Sequence, residues 1–193
     1  MNSCVTTLRT TALGVLSAVS LITPKHVEET TLPLLFSTLP DAAPPREAYS
    51  ENAKYRRILS SLAQLCTPPP LFETLVIRLS TKLELICASA ISSADQEANA
   101  AYAHFMLSSL SRVLATKVDA GHADIAKYLD RLVPRLYSVF IRAAVTYAQG
   151  DVPASVATHP RLIQTAAGVV AQITQTVPVE SVARITPLPR RDR

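Results

Sequence analysis

Leu21-Ile22-Thr23-Pro24 and Leu65-Cys66-Thr67-Pro68 are the same short phrase written twice, 44 residues apart. The match continues through Glu29-Thr30 with Glu73-Thr74 and through Leu35 with Leu79. A second pair, Leu59-Ser60-Ser61-Leu62 and Leu107-Ser108-Ser109-Leu110, recurs at an offset of 48. A third, Leu32-Pro33-Leu34-Leu35-Phe36 against Val133-Pro134-Arg135-Leu136-Tyr137, puts a proline in the second helix of a pair. An interior helical proline costs about 3 kcal/mol, so its recurrence implies a tolerated kink. A period of 44–48 residues with two helices per unit is the HEAT/armadillo signature.

The residues around these phrases read as helices throughout. Apolar side chains recur at helical spacing over about 3–20, 24–39, 47–66, 71–90, 93–117, 122–149 and 158–176. Thr23-Pro24 supplies an N-cap and a proline at the first helical position. Ser93-Ala94-Asp95-Gln96 has capping-box spacing. Gly121 and Gly150 are expected terminators. Pro-Asp-Ala-Ala-Pro-Pro-Arg over 40–46 reads as a loop.

The expected fold is therefore an all-α, HEAT/armadillo-like α-solenoid of antiparallel helix pairs in a right-handed superhelical stack. It holds about three and a half repeats over 1–178 (1–40, 46–90, 93–149 and a partial 158–178), followed by an irregular basic tail at 179–193. The alternative on the same helices is a non-repetitive bundle.

Composition agrees. The chain has 193 residues, 48% hydrophobic and 18% charged, with 4 Gly, no Trp and 5% aromatics. Leu and Ala supply about a quarter of it, and both favour helix. So few glycines and aromatics count against a sandwich or barrel. A chain this apolar can offset the entropy of ordering, which excludes a disordered one. Mean hydropathy is +0.21, high for this charge content. The solenoid accounts for it: a slice of a stack exposes stacking faces at both ends. This predicts aggregation, because 1–20 lack a polar outer face and the last unit lacks its second helix.

The net charge of +4 is split evenly. Residues 179–193 hold Arg184, Arg190, Arg191 and Arg193 against Glu180 and Asp192, and the other 178 residues carry only +2. Arg56-Arg57 and Arg131/Arg135/Arg142 are the local concentrations, read as solvated helix faces. No dense basic stripe exists, so a nucleic-acid-binding module is the weaker alternative. The first 22 residues fit a signal peptide poorly, with Arg9 the only early charge and serines and threonines diluting the run. A membrane span is not expected either, for want of a sufficiently apolar uncharged stretch.

Chemistry-bearing residues are dispersed. His26, His104, His122 and His159 have no ligand spacing, and His122 with Asp124 reads as a helix start where Asp meets the positive dipole end. Cys4, Cys66 and Cys87 form no Cys-x-x-Cys pair, and a cluster usually needs four thiolates. Cys66 reads as a small buried hydrophobe. Glu28 and Glu29 diverge by about 100° on a helix and cannot serve one substrate atom. Ser60-Ser61 and Ser108-Ser109 read as packing residues. Tyr102, Phe105, Tyr128, Tyr137, Phe140 and Tyr147 read as core, with a tyrosine-bearing binding face as the sharper option. The expectation is a non-enzyme with no catalytic residues, no metal ligands, no cofactor and no assigned binding residues.

The stretch Glu28 to Asp41 (EETTLPLLFSTLPD) resembles a segment of the MMS nineteen family. So do Ala43-Pro44-Pro45-Arg46, the run Tyr55 to Cys66, and Leu71-Phe72-Glu73-Thr74-Leu75-Val76-Ile77-Arg78-Leu79. The resemblance covers about 24–90 well and extends more loosely to about 178. It implies a long HEAT-repeat protein of cytoplasm and nucleus, acting as the client-binding adaptor of the cytosolic iron–sulfur protein assembly targeting complex. Its implied partners are the other subunits of that complex and apo iron–sulfur clients such as repair helicases and polymerases. Through them it would support nucleotide excision repair, replication and transcription. Family members are several times longer, which implies that this chain is an internal fragment or a truncated gene model. Their partner contacts lie largely toward the carboxyl-terminal repeats. An unrelated HEAT scaffold, of the transport-adaptor or phosphatase-regulatory type, is the alternative.

Overall fold

A computed structural model describes residues 2–44, 49–88, 93–128, 130–150 and 155–175. These form α1 (Asn2–Ile22), α2 (24–37), α3 (Tyr49–Leu65), α4 (Pro69–Ala88), α5 (Ser93–Asp119), a 3₁₀ segment (Ala123–Tyr128), α6 (132–148) and α7 (Pro160–Thr174). The described residues contain no strand. The chain is all-α and HEAT-like, as the repeat predicts.

The helices sort into two layers. Odd-numbered α1, α3, α5 and α7 pack side by side, and so do even-numbered α2, α4 and α6. Hydrogen bonds between neighbours in a layer join residues about one repeat apart. In the first layer Ser17 Oγ donates to the Gln64 carbonyl, Ser109 Oγ to that of Leu59, and Lys117 Nζ to that of Thr67. In the second Thr74 Oγ1 donates to Glu28, and Arg135 bonds Glu84. Partner numbers rise together along α3 and α5, so helices of one layer run parallel.

Between the layers lies one continuous core. Leu59, Leu62 and Leu65 of α3 meet Leu71, Phe72, Leu75 and Leu79 of α4, and Met106, Leu110, Val113 and Leu114 extend it along α5. Each fully buried leucine contributes about 1.5–3 kcal/mol by leaving water. The serine pairs behind the 48-residue match lie on the seam between α3 and α5. Small side chains let the helices approach, and Ser109 bonds both Phe105 on its own helix and Leu59 on the next.

The hairpin corners depart from the sequence reading in detail. Thr23 does occupy the N-cap of α2, but its hydroxyl turns back to the Val19 carbonyl. In the second corner the helix starts at Pro69, which leaves the Thr67 carbonyl open to Lys117. The capping box at Ser93 lies outside the described side chains.

The prolines are accommodated differently from each other. Ahead of Pro33 the helix widens into a π segment, Val27–Thr31, where the Leu32 N–H reaches five residues back to Val27. Pro134 is no interior kink. The expected helix over 122–149 is broken into the 3₁₀ segment and α6, so Pro134 is the third residue of α6. There its missing N–H would have had no intrahelical partner anyway. A second π segment, Tyr137–Ile141, follows it. Gly121 ends α5 in a Schellman turn, with φ +66°, its N–H on Val118 and that of His122 on Lys117. Gly150 takes φ +81° after α6.

The first helix is more apolar than its serines, threonines and Arg9 suggest. Cys4–Ile22 is long and apolar enough, by length and composition, to cross a bilayer. Leucines, valines and alanines outweigh the serines and threonines, and Arg9 is the sole charge. Val5, Leu8, Val15, Leu21 and Ile22 are more than half exposed, while Ser20 is buried and Val19 packs on the core.

Candidate functional site

The candidate chemistry disperses in three dimensions. Glu28 accepts from Thr74 at 2.6 Å, while Glu29 pairs with Lys25. Cys66 is fully buried and Cys4 is exposed. Burial pushes the thiols of Cys66 and Cys87 up to about 12, so both stay protonated. No three His, Cys, Asp or Glu side chains converge as metal ligands among the described residues. His26 is exposed near the start of α2. Two histidines share a seam that spacing did not reveal, between α5 and α7. His159 caps α7, accepting from the Arg161 N–H, and its Nε2 lies 2.9 Å from Glu97. His104 Nδ1 lies 2.9 Å from the Thr165 hydroxyl, which itself donates to Arg161. Partial burial and the positive charges of Arg161 and His159 hold His104 below its ordinary value.

Asp124 is more than a helix-start residue. The carboxylate meets the ammonium of fully buried Lys117 at 2.8 Å, with His122 at 3.8 Å. Lys117 also stands 5.1 Å over the Phe72 ring. Phe72 in turn packs edge-on against Tyr128.

The arginines read as solvated faces divide. Arg135 clasps Glu84 in two bonds of 2.8 and 3.0 Å, and Arg131 and Lys127 both reach Glu73. Those pairs tie α6 and the 3₁₀ segment to α4, which sequence numbers 50–60 residues apart could not announce. Glu73 is held below its ordinary value by these two hydrogen bonds. Arg56 instead lies 4.5 Å over the Phe105 ring, and Arg112 donates to Ser60 at 3.0 Å.

The aromatics divide as well. Tyr102, Tyr128 and Phe140 are core, whereas Tyr137 and Tyr147 on α6 are about half exposed. They are not alone on the second layer. Leu34 on α2, Ile77 and Leu85 on α4, and Val145 on α6 are also about half exposed or more. Ile77, Thr81 and Leu85 follow at four-residue intervals and so share one helix face. Together with Pro33 and Phe36 they line an open groove of about 560 Å³ between α2 and α4. The groove is open and its apolar walls are half exposed.

The family model described as RNAPII transcription regulator C-terminal (MMS19_C) matches residues 58–186. The chain belongs to the MMS19 family. The match covers α4, α5, α6, α7 and the last eight residues of α3, and runs eight residues into the segment read as a tail. In this MMS19-family chain the matched region contains Glu73–Arg131 and Glu84–Arg135, ion pairs that join successive units, and Lys117–Asp124, whose lysine also bonds the Thr67 carbonyl of the preceding unit. No curated protein and no solved structure gives a significant match.

Proposed function

We propose that this MMS19-family chain is a non-catalytic scaffold that delivers iron–sulfur clusters to apoproteins of DNA metabolism, as part of the cytosolic iron–sulfur targeting complex. The observation that carries the reading is the family match over 58–186. The physical form supports it: nearest-neighbour stacking builds surface without a central pocket, and such surfaces bind proteins. The exposed apolar residues of the second layer offer the anchors, since interface energy concentrates in a few large side chains. The partners are then the other targeting subunits and apo clients such as repair helicases and polymerases, in cytoplasm and nucleus. The family's printed description, a regulator of RNA polymerase II transcription, fits a role upstream of transcription-factor helicases.

Affinity capture of the tagged chain from cells, read by mass spectrometry, tests this. Enrichment of iron–sulfur targeting subunits is the expected result. A capture that returns none of them, with the bait folded and abundant, overturns it.

A further inference from the structure

The seam between α3 and α5 opens on the first layer into a groove of about 520 Å³, whose walls carry Arg56, Arg57 and Arg112. All three are exposed, and none makes an ion pair among the described residues. Among the described residues no carboxylate lines the groove. Seven of the eleven described Lys and Arg side chains outside the groove sit in ion pairs, whereas none of these three does, and all three face one concavity.

Two of them are held in place from behind. Arg56 lies on the face of Phe105, and Arg112 is fixed by Ser60. A guanidinium steadied this way presents its remaining N–H groups as a planar fork, the geometry that takes a carboxylate in two bonds. Ordering costs on binding fall accordingly.

We infer that this groove docks a short acidic segment of a partner protein. Its length decides between peptide and nucleic acid. From Ala53 to Ser60 the α3 wall is about 10 Å long, and from His104 to Arg112 the α5 wall is about 12 Å, at 1.5 Å per residue. Three or four extended residues fill that span at about 3.3 Å each. Along α3 and α5 the positive charge stops at both ends, since Lys54 lies with Glu51 and Lys117 is buried with Asp124; the next cation, Arg161, stands on α7 beside His104. A nucleic-acid backbone needs cations that continue along it. This docking is independent of the iron–sulfur reading, and either can fail without the other.

The test uses the full chain and a fluorescein-labelled peptide with four consecutive glutamates, followed by fluorescence anisotropy. Arg57→Gln and Arg112→Gln are surface changes whose folding is checked by circular dichroism melting. Each should weaken binding about threefold, and the pair at least tenfold, in the range of exposed charge contacts. Arg78→Gln, on the second layer, carries the same charge loss and should leave affinity unchanged. Equal loss with Arg78→Gln, no binding by the parent chain, or a labelled dT₁₂ oligonucleotide binding more tightly through the same arginines would each overturn the proposal.

Discussion

The ammonium of Lys117, fully buried at the end of α5, lies 2.8 Å from the Oδ2 of Asp124 in the following 3₁₀ segment. The same ammonium bonds the Thr67 carbonyl at the α3–α4 corner and stands over Phe72. One side chain thus joins the second and third helix pairs. Removing one member of a buried ion pair strands the other charge, at a cost of about 3–5 kcal/mol. Asp124→Asn and Lys117→Met should each lower the unfolding free energy by several kcal/mol in urea titrations. The double variant Lys117→Met/Asp124→Asn should lose less than the sum of the two, because no unpaired charge remains. Additive losses would mean that the two side chains act separately.

Acid should weaken the stack in two stages. His104 is held below its ordinary 6.5, so its neutral form favours the fold; that stability is present above 6.5 and lost as pH falls through the depressed value. Glu73 is held below its ordinary 4.5 by Lys127 and Arg131, so its share is complete above 4.5 and is lost at lower pH. Melting temperatures measured from pH 7.5 to 3.5 should show both declines. His104→Gln should flatten the upper one and Glu73→Gln the lower.

Two glycines predict opposite outcomes for the same substitution. Gly121 sits at φ +66°, where a Cβ costs about 1 kcal/mol, so Gly121→Ala should destabilise. Gly168 lies within α7 with no atom within 4 Å of an added Cβ, so Gly168→Ala should stabilise by about 0.5–1 kcal/mol. Chemical denaturation of the two variants reads the difference in sign.

Thiol labelling should separate the cysteines by burial. At pH 8 iodoacetamide should modify exposed Cys4 first, whereas Cys66 and Cys87, both pushed up to about 12, should react only on unfolding. Intact-mass spectra over time check this order; early modification of Cys66 would contradict it.

The repeat was legible because hairpin corners use proline and threonine for local reasons, and Pro24 stands at the first position of α2 as its residue type suggests. The break before α6 was not. Ile125, Leu129, Leu132 and Leu136 keep a helical spacing straight through the 3₁₀ segment and the turn after it, so periodicity alone reads one long helix. Lys117 likewise carries no mark in the sequence beyond its place in the last turn of α5. Its burial comes from Thr67 and Phe72, about 50 residues earlier, and from Asp124 beyond the Schellman turn. Arg135 and Arg56 tell the same story: what they touch depends on the register between helices one repeat apart. No residue of the second-layer groove was named as a binding residue beforehand, since exposed Ile77 and Leu85 share the hydrophobic pattern of their buried neighbours.

The most direct test mixes the purified full chain with the purified remaining subunits of the cytosolic iron–sulfur targeting complex and follows size-exclusion chromatography with light scattering. Co-elution at micromolar concentration is predicted for the parent chain. The exposed second-layer substitutions Ile77→Asp and Leu85→Asp should abolish it without loss of helicity. Separate elution of the folded parent chain from every subunit would contradict the account.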